Sequence, residues 1–188
     1  MHYAKSIRTA RLELVPANLR LAELEIKDIQ KLCNALKCGA PDRWPPPLND
    51  AESQRWFLEM YKREPGIQGW GTWYFLLAES DKPRMLIGNG GFKGKPVNGV
   101  CEIGYSLLPE YQGRGLGSEA ARALVAWAFE HEKVEVVAAE TLPELAASIG
   151  VMQSCGMRFV SNGKPEEGMQ TVRYEVSRKG FTERGFAK

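Results

Sequence analysis

The sequence predicts a mixed α/β fold, with a central, mostly antiparallel sheet of about six to seven strands flanked by about four helices. Three observations lead to that expectation. Between Thr72 and Leu107, runs that alternate polar and apolar residues are punctuated by turn residues, as in a β-meander. A glycine-rich turn, Gly113-Arg114-Gly115-Leu116-Gly117, then stands between a strand pattern and a helix pattern, and another strand follows that helix. A strand, helix, strand order of this length implies a parallel pair joined by a right-handed crossover. The chain has 188 residues, 44% apolar and 26% charged, which suits one domain over 1–188, with a core at about 9–176 and a basic tail over 177–188.

Arg11-Leu12-Glu13-Leu14-Val15 alternates and stops at Pro16, so a first strand is expected there. From Leu19 to about Lys37, Leu21, Leu24, Ile29, Leu32 and Leu36 recur at roughly helical spacing, with Asn18 placed to cap the start and Gly39 to close the end. The prolines at 41, 45, 46 and 47 forbid helix from Ala40 to Leu48 and hold Trp44 in a stiff, extended segment. Asn49 and Glu52 have capping-box spacing ahead of a helix that runs to about Lys62 and carries Trp56, Phe57, Met60 and Tyr61 on one face. Strands are expected over Thr72–Ala78 and Arg84–Phe92, joined by Ser80-Asp81-Lys82-Pro83, and again over Val100–Leu107. Behind the glycine turn, Ala121, Leu124, Val125 and Ala128 mark a largely buried helix, and Trp127 and Phe129 widen its apolar surface. A strand follows over Val134–Ala139. Thr141 and Glu144 then suggest a capping box for a helix through Leu145, Ser148, Ile149 and Met152, closed by Gly156. Two late strands, Arg158–Ser161 and Thr171–Val176, surround the turn Asn162-Gly163-Lys164-Pro165, and the tail from Arg178 is expected to fray.

Lys and Arg number 25 against 23 Asp and Glu, so a net charge of +2 gives no warrant for nucleic acid or a membrane surface as the main partner. The four cysteines form no C-x-x-C pair, and His2 and His131 lie far from any of them, which argues against a zinc site and against a metal generally. The longest apolar run, Ala123 to Phe129, is far short of a membrane span, and Met1 to Ile7 holds no signal-peptide core. The expected setting is the cytoplasm, with reduced thiols.

The glycine turn carries the chemistry. Gly113, Gly115 and Gly117 let several backbone N–H groups converge where a helix begins, which is how a chain holds a phosphate. On the strand before it, Glu102, Gly104 and Ser106 share one face, a carboxylate beside a position with no side chain. With His2 in the tail and His131 at a helix end, a carboxylate is the side chain left to act as a base. The segment around Trp44, together with Trp56, is the candidate wall for a second substrate. One competing pattern exists. Gly115-x-Gly117-x-x-Ala120 matches the dinucleotide fingerprint, with Glu140 at the end of the next strand, but Gly115 stands well past Leu107 and too little chain follows Glu140 for a doubly wound domain.

Gln112-Gly113-Arg114-Gly115-Leu116-Gly117 resembles the Q/R-x-x-G-x-G/A signature of the GNAT superfamily of acyl-CoA-dependent N-acetyltransferases. Cys101 to Pro109 before it, Glu119-Ala120 behind it, Ala147-Ser148, Cys155-Gly156-Met157 and the opening Thr9 to Leu14 are similar to the ribosomal-protein N-terminal acetyltransferase (Rim-type) branch. The resemblance implies a GNAT-like acyl-CoA N-acyltransferase fold whose sheet splays between strands 100–107 and 134–139, with acetyl-CoA in the gap. It implies that Gln112, Gly113, Arg114, Gly115, Leu116, Gly117 and Ser118 hold the pyrophosphate, and that Leu107 offers backbone groups to the pantetheine arm. It implies direct attack on the thioester by a primary amine, either a protein or peptide N-terminus or a small molecule. Glu102 would act as general base through water and Ser148 as donor toward the thiolate, with a homodimer left open. One position departs from the branch: Leu145 stands where Asn is common, three residues before Ser148. That keeps in view a non-catalytic acyl-CoA-binding protein.

Overall fold

A computed structural model describes residues 4–47, 49–79, 82–163 and 170–185. His2, Leu48, Ser80 and Asp81 of one expected turn, Lys164 and Pro165 of another, and residues 186–188 of the tail lie outside the described residues.

Among the described residues the chain forms β1 (Ile7–Arg8), β2 (Leu12–Pro16), α1 (Leu19–Lys27), α2 (Ile29–Leu36), α3 (Ala51–Arg63), β3 (Thr72–Leu77), β4 (Met85–Phe92) and β5 (Val100–Leu107). A short 3₁₀ turn (Pro109–Tyr111) leads to α4 (Leu116–Phe129), β6 (Val136–Thr141), α5 (Ala146–Ser154), β7 (Arg158–Asn162), β8 (Val172–Ser177) and α6 (Arg178–Glu183). The strands make one 8-stranded sheet in the order β1-β2-β3-β4-β5-β6-β8-β7. Only β5 and β6 are parallel; every other neighbouring pair is antiparallel. The mixed α/β class is as expected, with one strand more than the upper expectation and two further helices.

The differences have local causes. The expected helix over 19–37 is two helices, because Asp28 takes an extended conformation (φ −164) and its carboxylate accepts from the Lys31 N–H at 3.1 Å, capping α2. Lys37, at φ 55, closes α2 in place of Gly39, which instead bridges to Met85. The cap of α3 is Asp50, accepting from the Ser53 N–H at 2.8 Å, one residue past the expected Asn49. Thr141 belongs to β6, so the expected capping box is not formed and α5 starts at Ala146 with no side-chain cap. The expected frayed tail is also corrected. Ser177 caps α6, Phe181 is buried against Phe129 with ring centroids 5.4 Å apart, and the Arg178 guanidinium donates to the carbonyls of Phe129, His131 and Val134.

Register decides what each face of the sheet carries. Tyr74, Asn89 and Ser106 lie opposite one another across β3, β4 and β5, as do Thr72, Gly91 and Gly104, so these side chains and Glu102 share a face. α1 and α3 reach that face: Tyr74 donates to Glu25 at 2.8 Å and the Thr72 N–H to Tyr61 at 2.8 Å. The opposite face carries Trp73, Phe75, Phe92 and Ile103, and α4 packs on it through Trp127, whose ring lies 5.2 Å from Trp73 and 5.4 Å from Phe92.

Candidate active site

β5 and β6 pair only over Val100–Glu102 and Val136–Ala138. Beyond that point β5 follows β4 and β6 follows β8, so the sheet splits open between Ile103–Leu107 and Ala139–Thr141. The ladder to β4 places the Lys93 N–H on the Glu102 carbonyl (3.0 Å) and the Leu108 N–H on the Ile87 carbonyl (2.9 Å). By antiparallel alternation, the backbone groups of Ile103, Tyr105 and Leu107 then face the opening, away from β4. The Leu107 carbonyl takes a bond from Gln112 Nε2 at 2.9 Å, which fixes the glycine turn to the mouth of the split.

At that mouth the turn has the geometry that its composition suggests. Gly113 and Gly115 take φ 70 and 74, values open to glycine, and an added Cβ at Gly113 would meet nothing within 4 Å. Gly115 is the N-cap of α4 and offers no side chain, while the first N–H bonded back along the helix is that of Glu119, to the Gly115 carbonyl at 3.1 Å. The N–H groups of Leu116, Gly117 and Ser118 therefore point off the helix end, at the positive pole of its dipole. Gly117 sits close to Leu107 and Val151, 3.5 Å from each for a built Cβ. The Arg114 side chain leans over the Tyr111 ring at 5.9 Å and pairs with Glu79 at 3.7 Å.

A clamp absent from the sequence reading holds this turn. Glu119 accepts from the Arg11 N–H (2.8 Å), Arg11 Nε (2.7 Å) and Thr9 Oγ1 (2.5 Å), and the Arg11 guanidinium also donates to the Arg114 carbonyl at 2.9 Å. Burial pushes the Glu119 carboxyl up, but the bonds from Thr9 and Arg11 and the Arg11 charge outweigh it and hold the group below its ordinary value. A carboxyl lowered in the folded state contributes stability that is present above its unfolded value and is lost as pH falls through the folded one. The melting temperature is accordingly expected to fall as pH drops below about 4.5, less steeply in Glu119→Gln. An acid limb of equal slope in the variant would mean that the clamp contributes nothing.

A cavity of about 380 Å³ opens from the split and runs under α1 and α3. Ala139, Glu140, Leu145 and Ser148 line one side, and Gly104, Ser106, Asn89, Phe57 and Glu25 the other. Ser148 therefore sits where expected, its carbonyl accepting from the Tyr105 hydroxyl at 3.0 Å across the gap. Glu102 shares the face of Gly104 and Ser106 but does not line the cavity; its carboxylate pairs with Lys93 at 2.6 Å and lies 3.6 Å from Arg173. Arg173 also binds Glu140 (2.9 Å) and Glu175 (2.8 Å), which closes a cluster of charges at the apex of the split.

Neither tryptophan lines the cavity, contrary to expectation. Trp56 is 50% exposed, its ring edge against Phe57 at 4.9 Å, because the face of α3 turned inward carries Ser53, Gln54 and Phe57. Trp44 is half-buried behind the wall, where its indole N–H donates to Glu25 at 3.2 Å. The proline segment nonetheless reaches the site, since the Ser106 hydroxyl donates to the Pro47 carbonyl.

Glu25 itself was missed. The carboxylate lies at the cavity wall and accepts from Tyr74, Trp44, Gln54 (3.3 Å) and Asn89 (3.2 Å). Burial pushes this carboxyl up from its ordinary value, more than the four bonds pull it down. One signal was available: Leu21, Glu25 and Ile29 follow one another at i, i+4, i+8, so the acid interrupts an apolar stripe.

Residues 18–158 match the acetyltransferase (GNAT) domain family, and the chain belongs to that family. It is 25% identical over 162 residues to the uncharacterized N-acetyltransferase YjdG of Bacillus subtilis, covering 86% of this chain and 93% of that one. It is 26% identical over 184 residues to the FsC-acetyl coenzyme A-N(2)-transacetylase of Aspergillus fumigatus, covering 93% and 77%. Among solved structures, RimL, a ribosomal L7/L12 alpha-N-protein acetyltransferase in complex with coenzyme A, superposes with a TM-score of 0.63 at 18% identity over 92% of this chain and 97% of that one. The protein is thus an acetyl-CoA-dependent N-acetyltransferase. The dinucleotide alternative is set aside, because a largely antiparallel sheet with one parallel pair has no doubly wound half. Among the described residues no group of His, Cys, Asp and Glu is arranged to hold a metal, and no helix is long and apolar enough to cross a membrane.

Proposed function

We propose that the protein transfers acetyl from acetyl-CoA to a primary amine by direct attack within a ternary complex. The observation that carries this reading is the uncapped start of α4 opening onto the split between β5 and β6. The N–H groups of residues 113 to 118, with Arg114 beside them, would take the pyrophosphate, and the gap-facing backbone of Tyr105 and Leu107 the pantetheine amides. The donor supplies an activated acyl carbon; the chain supplies position, a base and a proton. Ser148 gives a hydrogen bond or proton toward the departing thiolate, and Glu102 draws the amine's proton through a water, its charge balanced by Lys93. An unperturbed lysine-type amine is neutral in only about one molecule in 10³ to 10⁴ at pH 7, a barrier of roughly 4 to 5 kcal/mol, against about 1 for an α-amine. Direct attack is favoured over an acyl-cysteine route because no cysteine lines the cavity, and burial pushes the thiols of Cys155 and Cys101 up to about 11 and about 12. The names of the relatives and of RimL point to amine acceptors, from a protein N-terminus to a small molecule. Calorimetric titration is expected to give saturable heat with acetyl-CoA and none with NADH, and Ser148→Ala and Glu102→Gln are each expected to lower kcat about 10- to 100-fold. Heat from NADH alone would overturn the proposal, and an unchanged kcat over pH 6 to 9 in both variants would remove both roles.

A further inference from the structure

We propose that Glu25 binds a second positive charge of the acceptor, so that the acceptor is a small diamine with one nitrogen held on this carboxylate and the other acetylated. The inference rests on the acetyltransferase reading above and adds a substrate class to it. All four partners of Glu25 are neutral: Trp44, Gln54 and Asn89 on Oε1, and the Tyr74 hydroxyl alone on Oε2. Among the described residues no Lys or Arg forms an ion pair with it. A buried carboxylate without a counter-charge is strongly unfavourable, and a glutamine would accept from the same donors. The negative charge is therefore not required by the network around it; Glu25 belongs to the cavity lining, and Oε2, with one donor among the described residues, keeps acceptor capacity.

The rest of the lining agrees in sign. Among the described residues Asp50 and Glu140 add carboxylates, and the one lysine of the lining, Lys93, is held by Glu102. The cation on Glu25 cannot be the nitrogen that reacts, since an ammonium has no lone pair to attack with. Distance separates the two. Through Asn89, Glu25 stands over the Asn89–Ser106 row, whereas the strands part beside Gly104, one two-residue step or about 7 Å along β5. A chain of roughly four carbons between nitrogens spans that step.

The test uses the intact protein and 1,4-diaminobutane, with n-butylamine as the single-charge control. The diamine is expected to bind about 30-fold more tightly than n-butylamine in calorimetric titration. The titratable and charged groups facing Glu25 are Tyr74 from β3 and Tyr61 from α3, with Asp50, Lys93 and Glu140 farther along the cavity. Glu25→Gln is expected to weaken diamine binding about 30-fold, raise KM for the diamine in proportion with kcat little changed, and melt no lower than the wild type. Equal binding of diamine and n-butylamine, or unchanged diamine binding in a variant that melts lower, overturns the proposal and leaves Glu25 as a structural acceptor. Diamine binding that is weakened in Glu25→Gln, with no acetyl transfer to any amine, sinks the acetyltransferase reading and spares the Glu25 site. Acetyl transfer to the diamine with its KM unchanged in Glu25→Gln does the reverse.

Discussion

Acetyl-CoA binding is expected to weaken about 100-fold, or about 2.7 kcal/mol, in Gly115→Val. Two effects add to that figure. At φ 74 a β-branched residue is strained by about 1–3 kcal/mol, and relief comes by rotating the peptide that opens α4. The same rotation turns the first N–H groups of the helix off a common point, and each bond to a charged phosphate oxygen is worth about 1.5–3 kcal/mol. Gly117→Ala is the control. Gly117 lies within α4, and its added Cβ would sit at an ordinary 3.5 Å from Leu107 and Val151, so the dissociation constant should change less than about 3-fold. Calorimetry on both variants separates the effects; an unchanged constant in Gly115→Val would move the phosphate site elsewhere.

Trp127→Ala is expected to reduce the free energy of unfolding by about 3 kcal/mol and the melting temperature by roughly 6–12 °C. Its ring stands among those of His131 (4.4 Å), Trp70 (4.8 Å), Trp73 (5.2 Å) and Phe92 (5.4 Å). Removing it empties the joint between α4 and the sheet, and α4 is the element that carries the glycine turn. Gly69 belongs to the same joint: it takes φ 92, its carbonyl accepts from the Trp73 indole at 2.7 Å, and an added Cβ would come within 2.7 Å of Trp127. Denaturant melts of Trp127→Ala and Trp127→Phe measure the loss, which should be smaller for Phe. A shift below about 1 kcal/mol in the alanine variant would show that the neighbouring rings close over the gap.

Local patterns were legible. β5 ends at Val100 and Leu107, as strict alternation indicated, and the glycines stand at the mouth of the split because a turn of that composition has few other uses. Glu102 and Ser148 were placed on the right strand and helix. Long-range pairings were not legible. Nothing near Glu119 in the chain announces Thr9 and Arg11, and nothing near Glu102 announces Lys93 or Arg173. The break at Asp28 was not legible because helical periodicity passes through it undisturbed, while a capping carboxylate wins at that position. The two tryptophans misled for a related reason: composition marked them as ligand-binding, but the rotation of α3 and the hydrogen bond to Glu25 decide where the rings point.

The strand order at the far end of the sheet governs when the site can exist at all. β8 lies between β6 and β7 although it comes after both in the chain, so β7 has no neighbour in the sheet until β8 has arrived. Without β8, the ladder that ties β6 to the sheet is three residue pairs with β5. The cleft wall that carries Ala139 and Glu140 thus depends on pairing with the C-terminal strand, more than 30 residues further along the chain. A chain cut short before Val172 would lack the strand that both β6 and β7 pair with, and with it the support of this side of the cleft.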